Sequence, residues 1–402
     1  MTIRPILAAA TLLITLSATS PARQSGPESI ARGNNMFAFD LYQRVAAKES
    51  GNLFFSPFSI STALAMTYAG ANGQTASEMA KTMRFGPNEP DFHYAYGSYL
   101  NALEDNAKGN IQLRIANRLW GEKTYKLRDD FVALNKRAYD SPLKPMDFIN
   151  SPDGSRTSIN TWVADKTEQR IKDLIPEGII TTDTRLVLTN AIYFKADWLY
   201  QFKTKKTKEK KFTLADGEKI KVPFMHFKGA FDFYRNEKYK AIKLPYKGSK
   251  QSMVVVLPKE GVALSEIEHT IDLNMFMYLE GYKPDVELAL PKFKATLPLS
   301  LNGYLQEMGM QQAFTNAADF SKMSDGQALM ISDVIHKAFI EVNEEGTEAA
   351  AATAVVMVLT STNAPDPKPE TFIADHPFLF YIIDDQTGAI LFMGRIMNPA
   401  IN

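Results

Sequence analysis

One stretch near the C-terminus limits what this chain can fold into more than any other. Residues 349–363 carry no charge and run from four alanines into the apolar, mostly β-branched segment 355–358. Such a composition normally indicates a buried strand. The next residues, 363–369, read N-A-P-D-P-K-P, and proline lacks the backbone donor that a central strand needs. A segment suited to the interior of a sheet therefore adjoins what must be an exposed loop.

Composition alone leaves two interpretations of this stretch open. The first is an ordinary buried strand followed by a proline-rich turn. The second is a loop that can become a strand, because the alanines at 349–352 are small on both faces of an extended chain and can pass between existing strands. The larger residues at 355–358 would then stabilise the inserted strand, at roughly 1.5–3 kcal/mol for each fully buried large side chain.

The sequence E-E-G-T-E-A-A-A-A-T at 344–353 resembles the hinge of the reactive-centre loop in serpins, the family of serine-protease inhibitors. Five further motifs support this resemblance and keep the family's order: N-L-F-F-S-P-F-S-I-S-T-A-L (52–64), L-T-N-A-I-Y-F-K-A-D-W (188–198), D-V-I-H-K-A-F-I-E-V-N-E-E-G-T (333–347), D-H-P-F-L-F-Y-I (375–382) and I-L-F-M-G-R-I-M-N-P (390–399). Together they cover the chain from about residue 30 to its end.

The resemblance implies an α+β fold in one serpin domain over residues 28–402. It implies a large main β-sheet, two smaller sheets, about eight or nine helices and an exposed reactive-centre loop at about 344–370. Residue patterns predict helices at 28–48, 263–279 and 299–308, and a strand at 330–342.

The N-terminus predicts a secretory signal peptide over residues 1–22. Arg4 supplies a positive charge, residues 6–16 are apolar, and Ser20-Pro21-Ala22 is a small-residue cleavage site. The apolar run is too short to span a bilayer, so no membrane span is expected. A short amphipathic extension is the alternative. We therefore expect a secreted or periplasmic protein from a bacterial export system, without disulfides because the chain has no cysteine.

Several functional classes have no support in the sequence. Forty-five basic and forty-five acidic residues balance to zero net charge, which gives no general reason to expect nucleic-acid binding. The chain has no G-x-S-x-G or nucleotide-binding motif, no cysteine nucleophile, and five scattered histidines without metal-ligand spacing. We therefore expect no enzyme activity, no metal and no cofactor.

Residues 203–211 contain six lysines. This charge run is either a solvated turn or a binding site for a polyanion or a partner protein. In heparin-dependent serpins the basic site lies mainly on an earlier helix. The stretch that resembles that helix, 92–105, is acidic or neutral here, so heparin activation is not predicted.

The resemblance implies inhibition by a suicide-substrate mechanism, in which a serine protease cleaves the loop and is trapped as a covalent complex. Cysteine proteases are a further candidate target class, and a monomer is expected. Gly346 is expected to let the backbone turn, and the small residues after it to let the cleaved loop enter the sheet quickly. The implied hinge residues are Glu344, Gly346, Thr347, Glu348, Ala349, Ala350, Ala351 and Ala352.

The cleaved bond follows from the hinge. Counting fourteen residues on from Gly346, as most inhibitory serpins require, gives Thr360, with Ser361 after the bond and Leu359 as the one-residue alternative. No lysine or arginine lies between 349 and 363, so elastase-, subtilisin- or chymotrypsin-like proteases are expected as targets rather than trypsin-like ones. The alternative function is that of a non-inhibitory serpin acting as a binding or chaperone module.

The resemblance also implies a polar cluster beneath the centre of the main sheet, where its strands must part. Ser56, Ser59, Asn190 and His336 match this cluster, and Trp198 matches the tryptophan at the top of the sheet where the loop first enters. Buried polar groups need partners, so a cluster that can exchange its partners is a plausible latch.

Overall fold

The structure is a computed structural model that describes residues 26–106, 111–248, 250–326, 329–347 and 368–401. At 106, 111–117, 188 and 190 only the backbone is described. The predicted signal peptide, the hinge residues Glu348 to Ala352 and the predicted bond at Leu359, Thr360 and Ser361 lie outside the described residues.

Nine helices lie within the described ranges: α1 (Pro27–Lys48), α2 (Pro57–Tyr68), α3 (Gly73–Met83), α4 (Pro90–Asn106), α5 (Asp129–Tyr139), α6 (Pro152–Lys166), α7 (Leu264–Glu268), α8 (Leu273–Tyr278) and α9 (Asn302–Glu307). Helix α2 begins where the sequence predicts. Ser56 accepts a hydrogen bond from the Ser59 amide at the helix N-terminus, and Pro57 occupies the first turn. Every residue of α2 is buried, so this helix runs through the centre of the molecule.

The same ranges contain sixteen strands: β1 (Leu53–Phe55), β2 (Ile111–Glu122), β3 (Leu143–Met146), β4 (Leu186–Asp197), β5 (Lys208–Thr213), β6 (Lys219–Ala230), β7 (Asp232–Arg235), β8 (Tyr239–Pro245), β9 (Gln251–Pro258), β10 (Asp285–Pro291), β11 (Phe293–Ser300), β12 (Ile335–Val342), β13 (Gly346–Thr347), β14 (Glu370–Ile373), β15 (Phe378–Asp384) and β16 (Ile390–Ile396).

These strands form three sheets. The main sheet has the order β11-β12-β13-β4-β2-β3. A second six-stranded sheet has the order β1-β16-β15-β9-β8-β7, and a four-stranded sheet has the order β14-β10-β6-β5. The predicted α+β architecture is confirmed. Strands β9, β15 and β16 are buried along their whole length, which explains their nearly continuous apolar sequence.

Four local predictions were wrong in type or extent. The predicted helix at 263–279 is two short helices, α7 and α8, because the side chain of Asp272 caps a new helix by accepting from the Asn274 amide. The helix at 299–308 begins only at Asn302, after strand β11. The strand at 330–342 begins at Ile335. Half of the lysine run, read as a possible turn, is strand β5, which pairs with β6 and buries Phe212.

Candidate functional site

The candidate site is the seam between β12 and β4 in the main sheet. These two strands pair directly and in parallel over only three residue pairs, Lys337–Ala191, Ala338–Ile192 and Phe339–Tyr193. Toward one end of this pairing the two-residue strand β13 lies between them. A cavity adjoins the N-terminal ends of the same strands. The space between β12 and β4 is therefore occupied by β13 at one end. At the other end, the cavity leaves room for more of a strand in the same position.

Strand β13 is the beginning of the predicted hinge. Gly346 pairs with Asp197 and Thr347 with Ala196, both antiparallel to β4, while Thr347 also pairs with Val342 of β12. Thr347 is completely buried, and its hydroxyl lies 2.8 Å from the Tyr246 hydroxyl. The hinge residues Gly346 and Thr347 thus already occupy the position of a central strand.

Gly346 is needed here for a reason that differs from the sequence prediction. Its backbone does not have a positive φ, so glycine is not required for a turn. A Cβ atom at this position would lie 2.0 Å from the Ala196 carbonyl oxygen and 2.7 Å from the Asp197 Cα. Glycine therefore permits the close approach of β13 to β4.

The turn that leads into β13 is held by Trp198. The indole Nε1 donates to the Asn343 carbonyl at 3.0 Å, and the Trp198 amide donates to the Glu345 carbonyl at 2.9 Å. The indole ring stacks on Tyr246, with ring centroids 4.8 Å apart and an angle of 9° between the planes. The structure therefore places Trp198 beside Gly346 and Thr347 of the predicted hinge.

Glu344 is a buried anion that fixes the same turn. Its carboxylate accepts from the Thr207 hydroxyl at 2.7 Å and lies 2.8 Å from the Lys292 ammonium. Burial would raise the pKa of Glu344, but the hydrogen bonds from Lys292 and Thr207 outweigh it and hold the pKa below its ordinary value. The charged carboxylate is therefore stabilised in place. No local sequence pattern indicates this pairing, because Thr207 and Lys292 are remote from the hinge motif.

The structure brings Ser56, Ser59 and His336 together behind the seam. The Ser56 amide donates to His336 Nε2 at 3.0 Å, and the Ser56 hydroxyl donates to the Leu391 carbonyl at 2.6 Å. The Ser59 amide in turn donates to the Ser56 hydroxyl at 3.1 Å. Asn190 lies on β4, where its backbone pairs with Asn117, but its side chain is outside the described part of the structure.

His336 is neutral, with its proton on Nδ1. Its Nε2 accepts a backbone hydrogen bond, so Nε2 carries no proton. The residue is 1% exposed, and burial lowers its pKa to about 3. Among the described residues, Nδ1 has no hydrogen-bond partner. This buried donor is therefore available to an acceptor that enters the seam.

The cavity has a volume of about 500 Å³. Its wall includes His336, Leu64 of α2, Val187 at the start of β4 and Ile335 at the start of β12. Most other lining residues are apolar, whereas Asp183, Arg185 and Asp333 supply charge. An apolar space at this place suits the burial of large apolar side chains.

Helix α6 and the segment after it cover the seam from the other side. Eleven buried residues form a separate apolar cluster here: Trp120, Phe148, Ile159, Val163, Ile171, Leu174, Ile175, Ile180, Ala191, Tyr193 and Phe339. Asn160 of α6 makes two hydrogen bonds with the backbone of Ile175, each 2.9 Å long. Because Tyr193 and Phe339 are register partners across the seam, a strand added between them must disturb this cover.

Two other kinds of site are absent from the part of the chain that the structure describes. Within the described ranges, no group of three or more histidine or acidic side chains is placed to hold a metal ion. No helix in those ranges is both long and apolar enough to cross a membrane.

Comparison with known proteins assigns the chain to one family. Residues 32–399 match the family described as Serpin (serine protease inhibitor). An uncharacterized serpin-like protein of Thermococcus kodakarensis is 41% identical, over 94% of this chain and 87% of that protein. Mouse leukocyte elastase inhibitor A is 39% identical, over 92% of this chain and 100% of that protein. Human thyroxine-binding globulin, solved in complex with thyroxine, superposes with a TM-score of 0.83 at 28% identity, over 93% of this chain and 99% of that one.

The mixed helix-and-sheet fold of this chain matches that of the solved structure. The chain belongs to the serpin family.

Proposed function

We propose that this protein is an inhibitor of serine-type endopeptidases that acts as a suicide substrate, and not an enzyme. The observation that carries the proposal is the position of Thr347. It is completely buried between β12 and β4, and the same two strands border a cavity at their other ends. The main sheet is thus prepared for a strand that continues from Thr347 along the seam.

The chemistry begins on the predicted bond between Thr360 and Ser361, or one residue earlier at Leu359. The protease serine oxygen attacks the carbonyl carbon, a carbon–oxygen bond forms, and the carbon–nitrogen bond breaks. The released amine of the new C-terminal fragment takes up the proton that the serine hydroxyl loses. The protease then remains esterified to the N-terminal side of the cleaved loop, which includes the hinge.

Insertion of the cleaved loop must then be faster than hydrolysis of the ester. Thr347 already lies in the sheet, so insertion extends an existing strand and needs no new nucleation. The residues that follow are four alanines after Glu348, which offer little steric resistance. Farther on, the inserted strand can supply an acceptor to His336 Nδ1, and the apolar side chains at 355–358 can fill the cavity. Each of these gains exists only after insertion.

The hinge sequence, and not the fold, distinguishes an inhibitor from the alternative of a non-inhibitory binding protein. Thyroxine-binding globulin has a similar fold, so the fold alone does not decide between inhibition and binding. The sequence G-T-E-A-A-A-A at 346–352 favours inhibition, because bulky, proline or additional charged residues would slow insertion.

The test is to mix the mature protein separately with an elastase, a subtilisin, a chymotrypsin and a trypsin, and to run denaturing gels. We expect a covalent complex that survives denaturation with at least one of the first three. The mass of the released C-terminal peptide then identifies the cleaved bond. Cleavage by all of them without any complex would contradict the inhibitor proposal.

Export remains a separate part of the proposal. We propose that the N-terminal 22 residues are removed during secretion or transfer to the periplasm. Sequencing the N-terminus of the protein recovered from culture medium or periplasm tests this. An intact Met1 on protein from either compartment would contradict it.

A further inference from the structure

The lysine run of residues 203–211 extends into a larger charged surface. Nine exposed lysines lie on the 203–228 segment, against only Glu209, Asp216 and Glu218 among the acids. We call these nine the lysine patch: Lys203, Lys205, Lys206, Lys208, Lys210, Lys211, Lys219, Lys221 and Lys228. None of the ion pairs within the described ranges involves a lysine of the patch, although the net charge of the chain is zero.

The fold brings this charge to one edge of the four-stranded sheet, where Lys208 and Lys210 lie on the opposite face to Lys211, Lys219 and Lys221. Strand β5 is an edge of the four-stranded sheet, and Lys211 pairs directly across from Lys221 on β6. Like charges directly opposite each other on neighbouring strands are destabilising. Burial lowers the pKa of His226 on β6, and three lysines lower it further, which shows that one imidazole feels the combined charge of Lys206, Lys208 and Lys210.

Lysine on an edge strand also has a simple structural use, because it discourages pairing with other chains. That use does not require the facing pair Lys211–Lys221, nor lysines on the inner strand β6. The patch is therefore larger than edge protection needs.

The patch borders one end of the loop and shares a sheet with the other end. Within the run, Thr207 donates to Glu344, which lies two residues before β13. At the other end, the chain after residue 367 enters β14, the opposite edge of the sheet that contains β5. A protease attached to the segment between β13 and β14 therefore comes to lie beside this sheet. Protease–inhibitor interfaces bury about 800 Å² on each partner, so such a protease also contacts surfaces around the loop.

We propose that the lysine patch is a docking surface for the target protease, and that the target carries an acidic surface beside its active-site cleft. This inference rests on the proposed function and adds a specificity determinant that the apolar loop sequence does not supply. Charges at the rim of an interface act mainly on the association rate and on its salt dependence. The patch is thus expected to accelerate encounter rather than insertion.

The test compares two charge-reversal variants with the wild type. The patch variant is Lys208→Glu/Lys210→Glu/Lys211→Glu, which keeps the edge strand charged. The control variant is Lys81→Glu/Lys126→Glu/Lys136→Glu, which makes the same change of net charge at exposed lysines outside the four-stranded sheet. Equal unfolding temperatures establish that all three proteins are folded.

The protease is whichever elastase, subtilisin or chymotrypsin forms the covalent complex, used unmodified and after succinylation of its surface lysines. Succinylation makes the protease surface acidic and leaves the same catalytic machinery. At low salt, we expect wild type to trap the succinylated protease about tenfold or more faster than the patch variant does, with the gap closing at high salt. The control variant should stay close to wild type.

Each of the other outcomes overturns either the docking surface or the proposed function. Equal rates for the wild type and the patch variant, with complexes formed by both, overturn the docking surface alone. Equal losses in the patch and control variants overturn it as well, because net charge then explains the effect. Acceleration of the wild type by dextran sulfate with either protease form, lost in the patch variant, would show a polyanion site instead. Failure to form any complex overturns the proposed function and this inference with it.

Discussion

At the scale of single residues, the hinge is held by side chains that are distant in sequence. Glu344 contacts Lys292 and Thr207, and Thr347 contacts Tyr246. Each contact orders the chain immediately before or within β13. The strength with which the first hinge residues are seated therefore depends on a few polar pairs, which substitutions can test one at a time.

The first prediction concerns the pair of Glu344 and Lys292. Glu344→Lys would place two ammonium groups together, so we expect the free energy of unfolding to fall by about 2 kcal/mol. This is less than for a fully buried pair because the Lys292 side chain is 37% exposed. The double variant Glu344→Lys/Lys292→Glu restores an opposite-charge pair and should recover most of the loss in urea unfolding. No recovery would show that the pair does not hold the hinge.

The second prediction concerns the pH dependence contributed by His336. Its pKa is about 3 in the folded protein and about 6.5 in an unfolded chain. As the pH falls below 6.5, the unfolded state takes up a proton that the folded state does not, so stability is lost from there down to pH 3.

The substitution His336→Gln removes this contribution and keeps a polar side chain. Its cost in stability should therefore be largest at pH 7 and shrink as the pH falls, by about 1.4 kcal/mol per pH unit between pH 6 and pH 4. Urea unfolding of both proteins across this range measures it. A cost that does not vary with pH would mean that His336 is not held neutral.

Among the helices and strands, the sequence predicts features that depend on neighbouring residues better than contacts between distant residues at the seam. The cap at Ser56 and the hinge composition are local patterns, and local chemistry decides them. The proximity of Ser56 to His336 depends on residues 280 positions apart, and no single-sequence pattern encodes such a distance. The role of Gly346 was misjudged for the same reason, because the clash that requires glycine comes from Ala196 on another strand.

The third prediction concerns Thr347 in β13. Arginine at this fully buried position would bring an uncompensated charge into the seam, so Thr347→Arg should turn the inhibitor into a substrate. Gel analysis should show the cleaved protein and little covalent complex. Thr347→Ser is the matched control, because it retains the hydroxyl that contacts Tyr246, and it should still form complex. Stoichiometric inhibition by the arginine variant would contradict the role of β13 as the start of insertion.

The fourth prediction concerns the cover over the seam. Asn160→Ala removes two buried hydrogen bonds between α6 and Ile175, and we expect a loss of about 2 kcal/mol in the free energy of unfolding. Thr161→Ala is the control, since Thr161 is exposed on the same helix. Equal effects of the two substitutions in urea unfolding would show that Asn160 does not clamp the helix to the segment behind it.

At the scale of the whole molecule, the fold is best understood as one that has not used all of its possible contacts. Two strands of the main sheet pair directly over three residue pairs, a cavity of about 500 Å³ adjoins them, and a buried histidine donor has no partner among the described residues. A chain that can satisfy all three by inserting one more strand would be more stable afterwards. The intact protein is then held by a kinetic barrier.

The most direct measurement is the unfolding temperature before and after cleavage of the loop. Burial of the four large apolar residues at 355–358 is worth about 6–12 kcal/mol. For a chain of 402 residues this corresponds to a rise of roughly 7–14 °C. If the cleaved loop inserts as a strand, the unfolding temperature of the wild type should rise by this amount. The rise should be much smaller for Thr347→Arg cut at the same bond. An unfolding temperature that stays the same or falls on cleavage of the wild type would contradict strand insertion.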